Sequence, residues 1–109
     1  MAERVNRGEI WLYTFKPPDK KRPVLVLTRQ EVIPRLSTVM VAPITSIVRG
    51  APSEVLVGSE QGLKNEAAIN LDHVQTVEQS RLRLFLGTLS RQKMSEVCRA
   101  LAIATGCGS

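Results

Sequence analysis

The sequence has almost no histidine, little cysteine and few aromatic side chains, and each scarcity removes a class of function. One histidine, His73, and two cysteines, Cys98 and Cys107, supply no cluster with metal-ligand spacing. The cysteines are also poor disulfide partners. Cys98 falls in an apparent helix and reads as a core thiol, while Cys107 falls in the terminal tail. A reducing, cytoplasmic compartment is therefore expected, with no metal and no cofactor. Aromatic residues make up only 4% of the chain, too few for a surface that stacks successive bases. No apolar run approaches the ~18 residues of a membrane span. The opening "MAERVNRGE" lacks the apolar stretch of a secretory signal. Internal repeats, low-complexity tracts and domain linkers are missing too.

What is present suits one globular domain over residues 1–109, with 1–6 and 106–109 expected to be flexible. Hydrophobic residues at 43% and charged residues at 23% leave ample material for a core. The net charge of +5 is unevenly placed. Residues 16–49 carry Lys16, Lys20, Lys21, Arg22, Arg29, Arg35 and Arg49 against Asp19 and Glu31, which is the whole excess. The remainder holds eight basic and eight acidic residues. Such a concentration suits a polyanion or an acidic protein segment. On charge alone, a solvated basic face is an equal alternative.

The apolar pattern predicts mostly strands. "GEIWLYTF" (8–15) is rich in aromatic and β-branched residues. "KPPDKK" (16–21) is a turn, since two prolines and an aspartate continue neither helix nor central strand. "RPVLVLT" (22–28) follows, with Pro23 confined to its first position or to an edge. "RQEVIPRLS" (29–37) reads as a connector with one helical turn ended by Pro34. "TVMVAPI" (38–44) is a continuous apolar run expected to be buried on both faces. "EVLVG" (54–58) is a fourth strand. "EAAINLD" (66–72) and "VQTVE" (74–78) read as a strand pair around Asp72-His73, followed by "RLFLGTLS" (83–90). Only the end is helical: Ser90 is the N-cap, Met94, Val97, Cys98, Leu101 and Ala102 share a face, and Thr105-Gly106 is the stop. Short strands plus one terminal helix predict a mainly β fold, a highly curved antiparallel sheet or open barrel.

The blocks "RGEIW" (7–11), "RPVLVLT" (22–28), "APITS" (42–46), "NLDHVQTVEQSRL" (70–82) and "LGTLSRQKMSEV" (86–97), in that order, resemble the MazF/PemK family. These are ribonuclease toxins of bacterial toxin–antitoxin pairs. The resemblance covers about residues 7–102. It implies an SH3-like curved sheet with a C-terminal helix and a homodimer. It also implies metal-independent, sequence-selective cleavage of single-stranded RNA to a 2′,3′-cyclic phosphate and a 5′-hydroxyl. The implied inhibitor is an acidic antitoxin with a largely disordered tail. The family's catalytic arginine and threonine fall on Arg22 and Thr45, and Asp72 matches an aspartate implicated in some members. Three departures stand out: the short 16–21 loop, Asn70 where some members have arginine, and His73 where relatives often have glutamine.

The chemistry suits these residue types. Attack by the RNA's own 2′-hydroxyl builds negative charge on a crowded phosphorane, and a guanidinium grips two phosphate oxygens at once while staying charged. Arg22 at the end of a buried strand is a preorganised clamp of this kind. Thr45 adds a hydroxyl hydrogen bond, and Ser46 can add another. Lys16, Lys20, Lys21, Ser46, Arg49, Asn70, Asp72, His73 and Gln75 are the RNA-binding candidates. Without the resemblance, Arg22 would read as a surface charge and Thr45 as a turn residue. His73 is a candidate base but reads first as a turn residue. Asp72 is placed either to orient Arg22, to read a base edge, or simply to make a turn. Trp11 is assigned to the core rather than to stacking. Glu78 with Arg81 or Arg83 reads as a solvated charge cluster. The competing functions are a non-catalytic toxin of the same fold acting on a protein such as DNA gyrase, and a plain RNA-binding module. The tail "ATGCGS" offers the first no aromatic anchor, and the scarcity of aromatics disfavours the second.

Overall fold

The computed structural model describes residues 5–16 and 20–107. Among these, seven strands form one antiparallel sheet: β1 (Glu9–Thr14), β2 (Lys21–Val26), β3 (Thr38–Thr45), β4 (Glu54–Val57), β5 (Ala67–Asn70), β6 (Gln75–Glu78) and β7 (Leu84–Thr88). The order across it is β4-β5-β3-β2-β1-β7, with β6 also on β3. An α-helix, α1 (Arg91–Thr105), follows the last strand.

Both faces of the central strands are covered, because alternate side chains go to opposite sides. Ile10, Leu25, Ala42 and Ile44 join Val55, Ile69, Val97 and Ala100 in a cluster beneath α1. Trp11, Tyr13, Val24, Val26, Val39 and Val41 form a second cluster with Val5, Ile33 and Leu82 on the other side. Trp11 is core, as expected, at 2% exposure. Its indole N–H donates to Glu9 Oε1 at 3.0 Å, and its ring meets Phe85 edge-on.

The expected hairpin around Asp72-His73 does not form. β5 and β6 do not pair with each other. Both lie along the same edge of β3, β5 on Ile44 and Thr45 and β6 on residues 38–41. A one-turn 3-10 helix, Leu71–His73, steps the chain from one half of β3 to the other. The reason is length: at eight residues, β3 is twice as long as either partner and has room for both.

Other departures are smaller. Met40 is exposed, so β3 is not buried on both faces throughout. Pro34 does not end its turn but lies inside a 3-10 helix, Gln30–Arg35. The bonds at its two ends are donated by the Val32 and Leu36 N–H groups, so neither needs a donor at Pro34. Within the N-terminal stretch predicted to be flexible, Val5 is 1% exposed, and Asn6 bonds to Glu9 and Gln30. Residues 1–4 and 108–109 lie outside the described residues.

The helix cap is as predicted: Ser90 Oγ accepts from the Lys93 N–H at 3.1 Å, and Gly106 closes the end in the left-handed region at φ 73°. Cys98 is exposed rather than core. The buried stripe runs through Val97 and Ala100, flanked by Met94, Leu101 and Ala104, while Arg7 donates to the exposed Cys98 Sγ at 3.4 Å. Arg81 does not pair with Glu78. It donates to Thr14 O at 2.9 Å and lies over the Tyr13 ring. No helix among the described residues is long and apolar enough to cross a membrane.

Candidate active site

Pro23 determines where the site opens. β2 pairs with β1 along its length, from Leu25 opposite Ile10 to Lys21 opposite Thr14. Its pairing with β3 begins only at Val24. The first three residues of β2 are therefore peeled from β3, and the proline stands where the zipper stops. Extending the register from Val24↔Pro43 by two residues sets Arg22 across from Thr45. Residues opposite each other in an antiparallel pair share a face. Arg22 and Thr45 thus emerge on the face of Tyr13, Val24 and Val41, away from α1.

The gap is a cleft of about 300 Å3 lined by Lys20, Lys21, Arg22, Pro23, Ile44, Thr45, Ser46 and Ile47. Thr45 Oγ1 accepts the Ile47 N–H at 3.1 Å. With that acceptor position taken by the turn, the hydroxyl proton remains free to donate to a ligand. Lys20, Lys21 and Arg22 are exposed. The one ion pair among the described residues is Lys93 with Glu96, so none of the three cations is neutralised by a described carboxylate.

A second cleft, of about 220 Å3, adjoins the first through Arg22, with Phe15, Pro43, His73 and Gln75 as its other walls. The step between β5 and β6 creates it. Ala42 and Pro43 have no partner on that edge of β3, and the 71–73 turn brings His73 beside the unpaired stretch.

Of the predicted site residues, Lys20, Lys21, Arg22, Thr45 and Ser46 line the first cleft, and Arg22, His73 and Gln75 the second. Lys16, Arg49, Asn70 and Asp72 line neither. Lys16 is an exposed side chain following Phe15. Arg49 sits in a loop whose backbone N–H groups, at Arg49, Gly50 and Ala51, converge on Glu54 Oε1. Asp72 does not orient Arg22. Its Oδ2 instead accepts from the buried Ser53 hydroxyl at 2.5 Å. Asn70 supports the turn: its Oδ1 accepts the Asp72 N–H at 3.0 Å, and its Nδ2 donates to His73 Nδ1 at 3.3 Å. The sequence reading missed Phe15 and Ile47. Ile47 is 65% exposed, and a bare isoleucine in a polar turn next to Ser46 was the available signal.

The family described as "PemK-like, MazF-like toxin of type II toxin-antitoxin system" matches residues 6–105. The chain belongs to this family. A protein named probable endoribonuclease MazF5, from Mycobacterium tuberculosis, is 40% identical over 103 residues, 93% of each chain. The solved structure titled Mycobacterium tuberculosis toxin MazF-mt6 superposes with a TM-score of 0.83 at 36% identity, covering 90% of this chain and 96% of that one. A mycobacterial endoribonuclease solved in complex with its cognate antitoxin also gives a TM-score of 0.83, over 94% of this chain and 95% of that one. At 22% identity that likeness speaks for the fold alone. The SH3-like curved antiparallel sheet with its terminal helix is the fold of this toxin family.

Proposed function

We propose that this MazF/PemK-family chain is a metal-independent, sequence-selective endoribonuclease, the toxin of a toxin–antitoxin pair, whose single domain cuts single-stranded RNA. The observation that carries the reading is that Arg22 and Thr45 line one cleft edged by Lys20 and Lys21. In the reaction the RNA 2′-oxygen bonds to phosphorus as it loses its proton. The bond from phosphorus to the 5′-oxygen breaks as that oxygen gains one. The products are a 2′,3′-cyclic phosphate and a 5′-hydroxyl. Arg22 grips the phosphorane oxygens through two N–H groups, and the Thr45 hydroxyl donates to the same phosphate. Lys20 and Lys21 draw the backbone in.

In this reading the Arg22 guanidinium carries the charge stabilisation. Cleavage is expected to persist in excess EDTA and to leave 5′-hydroxyl ends, read by end sequencing of RNA treated with the purified protein. Activity that vanishes in EDTA and returns with magnesium would refute the mechanism. The cognate antitoxin is expected to be acidic and to cover the same cations, and the toxin to be a homodimer burying exposed apolar side chains such as Leu84 and Phe85.

A further inference from the structure

His73 is the only histidine of the chain, and it lines the cleft that shares Arg22 with the cleavage site. A base is the obvious role, yet the hydrogen bonds around it point elsewhere. The Asp72 N–H can only donate, and it donates to Asn70 Oδ1. This fixes the orientation of the Asn70 amide, whose other end, Nδ2, then faces His73 Nδ1 at 3.3 Å. An amide nitrogen only donates, so Nδ1 accepts. In the neutral ring the proton must then sit on Nε2, the one nitrogen left for a ligand. The ring nitrogen that His73 leaves free is thus a hydrogen-bond donor.

We propose, on the basis of the ribonuclease reading above, that the cleft of Arg22, Pro43, His73 and Gln75 is a nucleobase subsite beside the scissile phosphate, and that the Nε2–H of His73, held by Asn70, selects a base with a carbonyl on its edge. Uracil and guanine present an oxygen acceptor where cytosine and adenine present an amino donor. A fixed donor rewards the first pair and leaves the second facing it donor to donor. Gln75 carries both kinds of group and can follow either base, so the selection rests on His73. Asn70 is a positioning residue: it sets which nitrogen carries the proton and touches no RNA itself.

The test is end sequencing of a randomised RNA pool cut by wild type, His73→Phe and Asn70→Asp at mildly alkaline pH. Wild type should favour uracil or guanine over cytosine or adenine at one position flanking the cut, by roughly fivefold to tenfold, the worth of one hydrogen bond. His73→Phe keeps a ring but no donor and should flatten that position alone. Asn70→Asp keeps the acceptor for the Asp72 N–H but turns an acceptor toward Nδ1. The ring proton should move to Nδ1, expose Nε2 as an acceptor, and swing the preference at the same position toward cytosine or adenine. A merely structural role would change cleavage at all positions or none. Wild-type protein that cuts no RNA sinks the ribonuclease reading and this one together. Cutting with unchanged preference in both variants overturns the subsite alone.

Discussion

If Arg22 has the proposed role, replacing it should separate stability from cleavage. Its side chain is exposed, and among the described residues it makes no hydrogen bond or ion pair. Its neighbours Lys20 and Lys21 are like-charged, so truncation removes repulsion rather than packing. Arg22→Ala should therefore change stability by no more than about 0.5 kcal/mol, the range of plain surface substitutions. Loss of a preorganised donor at the developing charge costs ~2.7–4 kcal/mol, or about 10²–10³ in rate. Arg22→Lys keeps the charge but not the planar fork and should recover little of that loss. Thr45→Val removes one hydrogen bond to a charged group, ~1.5–3 kcal/mol, or roughly 10- to 150-fold in rate. The exposed Ile47 N–H it abandons can turn to water, so the fold should hold. Single-turnover cleavage of a fluorescent oligonucleotide, with thermal melts of each variant, measures both quantities. An Arg22→Ala protein that melts like wild type and cuts at the wild-type rate would refute the assignment.

Two further outcomes test the frame that holds the site. A Cβ on Gly87 would lie 2.1 Å from Gln61 O, so Gly87→Ala should cost several kcal/mol or prevent folding, read by urea denaturation. Ser90→Ala removes the α1 cap and should cost about 1 kcal/mol with little effect on cleavage, since α1 packs on the face away from Arg22.

Local signals were read well and pairing was not. The strands of 8–15, 22–28 and 38–44, the Ser90 cap and the core place of Trp11 follow from alternation, capping and side-chain type, all of which act within a few residues. The partnership of β5 and β6 does not. Nothing in "EAAINLDHVQTVE" says that both segments lie on β3, because that depends on the length of a strand that precedes them in the chain. The cleft lined by His73 exists only because of that arrangement, so its shape was illegible. Cys98 failed for a different reason. Cysteine and alanine are similar small apolar residues, so helical spacing alone cannot choose between a stripe through Cys98 and one through Ala100. The choice involves Arg7, 91 residues away in sequence, which donates to the Cys98 sulfur. Arg22 and Thr45 came from the resemblance alone, and the structure adds that both line the cleft opened where β2 leaves β3.

The same registry bears on how such a site is switched off. The peeled start of β2 offers Lys20, Lys21 and Arg22 on one edge of the cleft, and an acidic peptide and an RNA backbone would both seek those charges. If inhibition works by occupying this edge, Lys20→Glu with Lys21→Glu should weaken RNA and antitoxin binding together. Every phosphate of a single strand that is no longer neutralised lowers the slope of log affinity against log salt by about 0.7, so two lysines should remove about 1.4. The antitoxin's salt dependence should flatten in parallel, because its carboxylates lose the same partners. Titrating both ligands against wild type and the double variant at two salt concentrations gives all four slopes. A variant that loses RNA affinity while binding antitoxin as tightly as before, with the antitoxin slope unchanged, would place the two ligands on separate surfaces. Inhibition would then have to act through the subunit interface or a distant loop, since these cations would be free in the inhibited complex.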